Sequence, residues 1–173
     1  PLQGPLKELV FKSDRLLDDP QRRELVAGSK KQLFGKGERM FRQGEEGGAL
    51  YVLVEGEADV FVDAEGHLTR VNVVRTGDCL GEFSLLTGEP LSATVLTTTD
   101  CEVVLIERDR MSTVLHESPE LVEKLSEILA LRRLETEVIL AESETQRNRT
   151  VVPKSQEEYA NDFLNKIKDF FSV

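Results

Sequence analysis

The sequence has few of the residues on which several classes of protein depend. Its 173 residues include two cysteines, Cys79 and Cys101, and two histidines, His67 and His116. The cysteines lack Cys-x-x-Cys spacing and lie in apolar, strand-like segments, which favours buried free thiols in a reducing compartment over a disulfide or metal role. The histidines are far apart with no ligand spacing around them, so we expect no zinc or cupin-type metal site.

Long apolar runs and an excess of basic residues are also missing. No stretch approaches the roughly 18 apolar residues of a membrane-spanning helix, and no charged start precedes an apolar core, so a signal peptide is not expected. The formal net charge is −10, with 32 acidic against 22 basic residues. This balance argues against nucleic acid as a partner, because that binding needs a concentrated basic face. We expect no enzyme, since no nucleophile, base and orienting group form a recognisable set.

Hydrophobic periodicity divides the chain into four parts. Residues 1–30 have helical spacing, residues 31–108 read as short strands separated by glycine-rich turns, residues 109–147 are again helical, and residues 148–173 contain a linker and a terminal amphipathic helix. The density of short strands in the second part predicts an α+β protein built on an antiparallel β jelly roll with helices on either side.

Two short turns within the strand region predict β-hairpins. Residues 55–57 separate strands at 50–54 and 58–62, and residues 64–66 precede a strand at 68–74. Both connections are short enough for hairpins. The returning strand of the second hairpin has apolar residues at the alternate positions 71 and 73.

A short helix that stops near residues 118–119 and a long helix are predicted to follow the strands. Later apolar positions of the long helix are spaced three, four and three residues apart, as in a coiled-coil seam: Leu131, Leu134, Val138 and Ala141. The seam is short. Packing against the protein's own strands and homo-oligomerisation through these C-terminal helices therefore both remain open.

The last part of the chain predicts a polar linker over residues 142–157 and then an amphipathic helix. Tyr159, Phe163, Ile167 and Phe170 recur on one face of this helix. The face must pack against its own domain, a neighbouring subunit or a membrane surface. The membrane ranks last, because acidic residues are interleaved with the two lysines.

Residues 81–95 combine a turn, a short helix and the start of a strand. Gly81 lets the backbone approach another group closely, residues 82–86 can form one helical turn, and Gly88 and Pro90 stop it. The start of such a helix directs backbone N–H groups and a partial positive charge at whatever lies in front of it. This arrangement suits a phosphate.

The segment resembles the phosphate-binding cassette of cyclic-nucleotide-binding domains, in which Gly-Glu and a short apolar helix precede an arginine, small residues and Thr-Val. The similarity covers about residues 15–135, since Phe41-Arg42-Gln43-Gly44-Glu45, the segment 51–56 and Thr76-Gly77-Asp78 occur in the family's order. It implies a regulatory module without cofactor, metal or catalysis, whose ligand is cAMP or cGMP. It also implies flanking helices that move on binding, the last of which closes over the base.

The resemblance assigns roles to individual residues. Glu82 would accept a hydrogen bond from the ribose 2′-OH, the N–H groups of Phe83 and Ser84 would face the phosphate, and Ser92 would offer a hydroxyl or N–H. Residues 71–74 would line the base pocket, and the closing helix would use Arg132, Arg133 and Leu134. The ligand-binding residues so implied are Gly81, Glu82, Phe83, Ser84, Leu91, Ser92 and Ala93.

Leu91 stands where the resemblance calls for the arginine that clamps the phosphate. An arginine makes charge-assisted hydrogen bonds worth roughly 1.5–3 kcal/mol each, and losing even one weakens binding by about tenfold or more. Three explanations remain open. Another basic residue such as Arg70, Arg75 or Arg132 supplies the charge, the pocket has changed its ligand, or the domain is a non-binding scaffold that mediates oligomerisation or protein interaction.

The terminal stretch, residues 163–171, resembles the end of bacterial small-conductance mechanosensitive-type channels that carry a C-terminal cyclic-nucleotide-binding domain. This second resemblance implies a fragment of a longer protein, with an upstream channel or other effector, at the cytosolic face of the inner membrane. Nothing basic or helix-turn-helix-like follows position 142, so a DNA-binding part of the kind that transcription factors carry is not expected.

Overall fold

The computed structural model describes residues 29–144 and 154–173, together with the isolated positions Pro20 and Ala27. The helical segment predicted over residues 1–30 therefore lies almost wholly outside the described part of the chain. Between residues 29 and 173 the described part forms eight strands and four helices. The strands are β1 (Lys30–Phe34), β2 (Arg39–Phe41), β3 (Ala49–Glu55), β4 (Glu57–Ala64), β5 (His67–Arg75), β6 (Cys79–Leu80), β7 (Thr94–Thr97) and β8 (Cys101–Glu107), and the helices are α1 (Glu82–Thr87), α2 (Arg108–Glu117), α3 (Pro119–Glu144) and α4 (Gln156–Phe171).

The strands form two four-stranded sheets, with the orders β1-β8-β3-β6 and β2-β7-β4-β5. Every pairing in both sheets is antiparallel. The predicted antiparallel jelly roll with helices beside it is thereby confirmed. This architecture follows from short strands whose apolar faces must be covered by a second layer.

The first sheet is covered on both faces. Leu50 and Val52 of β3 join a helical core built mainly from α1, α2, α3 and α4, whereas Leu53 joins a strand core between the two sheets. Successive side chains of a strand point to opposite faces, so a strand buried on both sides needs a nearly continuous apolar run. The sequence of β3, Ala-Leu-Tyr-Val-Leu-Val-Glu, meets this requirement.

The first predicted hairpin, across residues 55–57, is wrong. β3 pairs with β6 and β8, whereas β4 pairs with β5 and β7, so the chain passes from one sheet to the other at Gly56. The reason is tertiary: Gly56 has φ of 111°, and a β-carbon on it would lie 2.5 Å from the carbonyl oxygen of Asp100. The short turn is a close crossing beside the start of β8.

The second predicted hairpin, β4 with β5, is confirmed. Its register runs from Glu57 opposite Arg75 to Ala64 opposite His67. The register shifts between Val60 and Phe61, which face Asn72 and Arg70, so Val71 is skipped. Such a bulge disrupts the alternation of side chains along the strand.

The two helices predicted after the strands are confirmed as α2 and α3, with Ser118 between them. Pro119 opens α3, a position where its missing N–H costs nothing. Two residues of the predicted coiled-coil stripe, Leu131 and Val138, are 36% and 54% exposed, and Leu134 is partly buried. Packing of the stripe on the protein's own strands and oligomerisation through it both stay predictions.

The terminal helix α4 packs on its own domain, mainly against α3 and α1. Its buried residues are Phe163, Ile167 and Phe171, which follow one another at intervals of four residues. Phe170, predicted on this face, is 39% exposed instead. Both ends of the predicted linker are also helical, since residues 142–144 continue α3 and Ser155 caps α4 through a capping box with Glu158.

Cys79 lies in the helical core and Cys101 in the strand core, and both are buried free thiols. None of the helices in the described ranges is long and apolar enough to cross a membrane. The same residues contain no group of three or more His, Cys, Asp or Glu side chains that could hold a metal ion.

Candidate functional site

A cavity of about 290 Å³ opens between the second sheet, α1, the segment before β7, and α3. Each of the seven residues predicted to bind ligand lines this cavity: Gly81, Glu82, Phe83, Ser84, Leu91, Ser92 and Ala93. The fold thus brings together residues from two parts of the cassette that are separated by the turn at residues 88–90. Their roles toward a ligand stay predictions.

Helix α1 is held between two glycines in the left-handed region, Gly81 with φ of 81° and Gly88 with φ of 72°. The six-residue helix buries all its side chains except that of Phe83. Its first residue, Glu82, is one of them and is only 6% exposed. A buried carboxylate is costly unless another group compensates its charge.

Arg132 of α3 is the group that compensates Glu82. Its Nη1 donates to Glu82 Oε1, and the two side chains are 11% and 7% exposed. An ion pair this well shielded retains most of its Coulombic attraction, and each partner alone would be strongly unfavourable. The pair joins α3 to α1 of the cassette at the wall of the cavity.

Arg132 is also the one of the three proposed substitute arginines that reaches the cavity. Arg70 pairs with Asp59 at 3.7 Å and Arg75 with Glu57 at 3.2 Å, and both arginine side chains are about 60% exposed. Neither lines the cavity. Arg70 and Arg75 are therefore not substitutes for the missing cassette arginine in this arrangement.

Leu91 is a core residue as well as a wall of the cavity. It is 5% exposed and belongs to the strand core with Phe41 and Val95. Its backbone is fixed on both sides, because its N–H donates to Glu45 and its carbonyl accepts from the N–H of Gly44, both at 2.8 Å. A leucine here adds apolar contact where the resemblance calls for a cation.

Ser84 is the buried polar residue of the cassette without a satisfied hydroxyl. It is 1% exposed, and its Oγ finds no hydrogen-bond partner in the part of the chain that is described. A β-carbon on Gly47 would collide with this hydroxyl, so the loop before β3 lies directly against it. A buried hydroxyl left unpaired costs about 1–3 kcal/mol, which a ligand or water at the cavity wall would recover.

The lining of the cavity at β5 and α3 differs in detail from the prediction. Val71, Asn72 and Val74 line it but Val73 does not, and Arg133 lines it but Leu134 does not. Among the lining residues that the sequence reasoning missed, five lie on α3: Glu135, Thr136, Glu137, Ile139 and Leu140. Five others lie on the strands: Phe41, Val60, Val62, Leu80 and Val95. The positions on α3 follow on from Arg132, which was the available signal for them.

Glu137 connects the cavity wall to α4. The hydroxyl of Tyr159 donates to Glu137 Oε1. Burial, then this hydrogen bond and the carboxylate charge, raise the pKa of Tyr159 to about 12. The other carboxylate oxygen, Oε2, is buried and has no hydrogen-bond partner within the described ranges.

The cavity is lined by carboxylates as well as by guanidinium groups. Its charge therefore favours a bound anion less than a free arginine in the cassette would. Glu82, Glu135 and Glu137 line it together with Arg132 and Arg133. Arg132 is engaged by Glu82, and the guanidinium of Arg133 lies over the ring of Phe83 at 5.2 Å. Both cations are thus already used by neighbouring groups.

Comparison with known proteins places this site in a family. Residues 31–118, just over half of the chain, match the family described as the cyclic nucleotide-binding domain. The chain belongs to this family. The matched residues contain the two sheets, the cassette and α2.

Two curated relatives are regulatory proteins. The chain is 30% identical over 92 residues to a cAMP-dependent protein kinase regulatory subunit of Eremothecium gossypii, covering 53% of this chain and 19% of the relative. It is 29% identical over 122 residues to a CRP-like cAMP-activated global transcriptional regulator of Mycobacterium tuberculosis, covering 68% of this chain and 54% of that protein. The chain thus spans about half or less of these relatives.

A solved structure with a similar fold is the regulatory subunit of a cAMP-independent protein kinase A from Trypanosoma brucei, in a triply substituted variant bound to cAMP. The TM-score is 0.56 at 27% identity, and the alignment covers 64% of this chain and 41% of the other. One of the three substitutions in that variant replaces a threonine by arginine.

Proposed function

We propose that this domain is a ligand-sensing regulatory module that binds a cyclic mononucleotide weakly and controls an attached effector without catalysis. The cavity carries the proposal, because it gathers the seven cassette residues, the base-side residues of β5 and the closing helix α3 around one space of about 290 Å³. Ligand binding would act by population shift, favouring the arrangement of the flanking helices that it contacts best.

Two features support weak rather than strong binding. Leu91 offers no charge to a cyclic phosphate, and Arg132 already neutralises Glu82, the residue that would accept the ribose hydroxyl. A ligand must therefore pay for separating a buried ion pair as well as for desolvating its phosphate. The Trypanosoma brucei relative supports this reasoning, since it is described as cAMP-independent and its cAMP-bound variant has gained an arginine.

The effector is kept general in this proposal. The two curated relatives belong to kinase regulation and transcriptional regulation. The idea of a membrane channel, and with it a location at the inner membrane, rests on residues 163–171 alone. The packing of α4 on its own domain gives the aromatic residues of that stretch a role that needs no channel.

A non-binding scaffold is the second candidate function. The observation that favours it is the internal pairing of Glu82 with Arg132, which satisfies the cassette carboxylate without any ligand. Such a domain would retain the fold and present its helices to other proteins, including a second copy of itself.

Titration of the chain and of Leu91→Arg with cAMP and cGMP separates the two candidates. We expect the wild-type chain to bind at millimolar concentration and Leu91→Arg to bind about tenfold or more tightly, because each regained charge-assisted bond adds roughly 1.5–3 kcal/mol. The measurement is calorimetric titration with the shift of the melting temperature as a second readout.

Leu91→Gln is the matched control, since it adds a polar group of similar size without charge and should leave affinity near that of wild type. 5′-AMP serves as the control ligand. If Leu91→Arg is folded and still binds neither cyclic nucleotide, the ligand proposal is wrong and the scaffold function stands.

A further inference from the structure

The terminal helix α4 contacts both walls that face each other across the cavity. On the side of α3, Tyr159 donates to Glu137 and the ring of Phe163 lies 5.8 Å from the guanidinium of Arg133. On the side of α1, the same Phe163 ring packs against Phe83 with a centroid distance of 5.6 Å. One aromatic residue of α4 therefore contacts the closing helix and the cassette together.

The second half of α4 grips the other end of α1. Lys166 forms an ion pair with Glu89, just after the helix. The ring of Phe170 fills the space beside Gly88, where a β-carbon would collide with it. Phe83 is the second residue of α1, and residues 88–89 directly follow its last residue. Helix α4 therefore contacts the cassette helix near its start and at its end.

A third contact reaches the loop behind the cassette. Phe170 lies under the guanidinium of Arg108, 4.6 Å from its ring centroid. Nη2 of Arg108 donates to the carbonyl of Gly47 at 2.8 Å, and Gly47 lies directly against Ser84 and Leu91. The position of α4 is thus linked to both residues of the cassette that most concern a phosphate.

These contacts fix where α3 lies relative to α1, and that position is the one in which Arg132 pairs with Glu82. A ligand hydroxyl must compete with Arg132 for the Glu82 carboxylate. We propose that α4 is an autoinhibitory latch, whose docking holds α3 over the cavity with Arg132 on Glu82 and whose release makes the cavity bind ligand more tightly. The inference rests on the proposed function only for the identity of the ligand.

Coupling of this kind is reciprocal. If release of α4 favours ligand binding, ligand binding favours release of α4 by the same factor. Release would uncover the apolar face formed by Phe163, Ile167 and Phe171, which is buried in the helical core when α4 is docked. The latch thereby converts occupation of the cavity into exposure of a surface that an effector can bind.

The test weakens α4 at its polar contacts in the full 173-residue chain. The double variant Tyr159→Phe/Lys166→Glu removes the hydrogen bond to Glu137 and places two negative charges together at Glu89, while leaving the buried aromatic residues intact. Asn165→Glu is the control, because it adds a negative charge at an exposed position of the same helix.

The first readout needs no ligand. Hydrogen exchange of the backbone amides over residues 132–140 should become faster in the double variant and remain unchanged in Asn165→Glu, since only the former loosens α3. Unchanged exchange over these residues in the double variant would overturn the latch.

The second readout is affinity for cAMP and cGMP, measured in the Leu91→Arg background. The double variant should bind about fivefold or more tightly, at the lower end of typical coupling between sites. Weaker binding would overturn autoinhibition and show that α4 helps α3 to close on ligand. If no variant binds either nucleotide while exchange in α3 rises, the proposed ligand is wrong, and the faster exchange supports only the part of the latch in which docking of α4 holds α3 in place.

Discussion

At the scale of single residues, Glu82 and Arg132 are two oppositely charged side chains that meet at the wall of the cavity. Sequence reasoning gave Glu82 a role toward a ribose and counted Arg132 among three possible substitutes for the cassette arginine. Their side chains, 7% and 11% exposed, instead pair with each other. The effect of this pair on stability can be separated from its effect on ligand binding.

Arg132→Gln should destabilise the fold, because it leaves the buried Glu82 carboxylate without a counter-charge. Breaking one partner of a buried pair costs about 3–5 kcal/mol, which urea unfolding followed by circular dichroism will measure. The double variant Glu82→Gln/Arg132→Gln removes both charges and should recover much of the loss. Equal stability of Arg132→Gln and wild type would mean that Glu82 is solvated in solution.

Tyr159 gives the fold a dependence on alkaline pH. Its pKa is raised from 10.0 to about 12 in the folded chain, so the folded state holds its proton more tightly than the unfolded state. This stabilising contribution is complete below pH 10 and is lost as the pH rises toward about 12.

Tyr159→Phe should therefore flatten the fall in melting temperature over that range. Melting curves of both proteins from neutral pH to pH 12 test this expectation. Burial also raises the pKa of Tyr51. Because Tyr51 is present in both proteins, its effect on the melting temperature is the same in both. An identical slope in the two proteins would show that burial and the bond to Glu137 do not raise the pKa of Tyr159 in solution.

At the scale of elements, α1 depends on α4 for its C-terminal end. Gly88 has φ of 72°, and the space beside it is taken by the ring of Phe170. Gly37 has a similar φ of 83°, but nothing lies within 4 Å of where its β-carbon would be. The two glycines thus share a backbone conformation and differ only in their surroundings.

Gly88→Ala should cost more than Gly37→Ala. Each alanine adopts the left-handed conformation at a cost of about 1–2 kcal/mol, and the one at position 88 must also displace Phe170. The difference between the two free energies of unfolding measures the docking of α4 on α1. Phe170→Ala in combination with Gly88→Ala should remove that difference. If Gly88→Ala alone costs no more than Gly37→Ala, α4 is not docked on α1 in solution.

At the scale of the whole molecule, α3 presents an exposed apolar stripe on the side away from the cavity. Leu131 and Val138 are 36% and 54% exposed, and they lie seven residues apart. Apolar residues at heptad spacing on an exposed helix face are typical of a helix that packs on a second helix. Homo-oligomerisation through the C-terminal helices stays a prediction, and it can be tested at this stripe.

We expect the chain to form a dimer and Val138→Glu to shift it to the monomer. A charge in the centre of such an interface is unfavourable because it loses its hydration. Light scattering coupled to size exclusion over a range of concentrations measures the mass. Lys124→Glu, at an exposed position of the same helix, is the control and should leave the mass unchanged. A wild-type chain that is monomeric at all concentrations would contradict the expectation.

The amino-acid sequence by itself determined the strand region, the order of the helices and the seven cassette residues that line one cavity, because period, glycine turns and the cassette pattern are local properties of the chain. Crossing at Gly56, the bulge at Val71 and the docking of α4 were decided by the tertiary structure. So was the pairing of Glu82 with Arg132, residues 50 positions apart. Each of these depends on which surfaces meet after folding, and a local pattern carries no information about its distant neighbours.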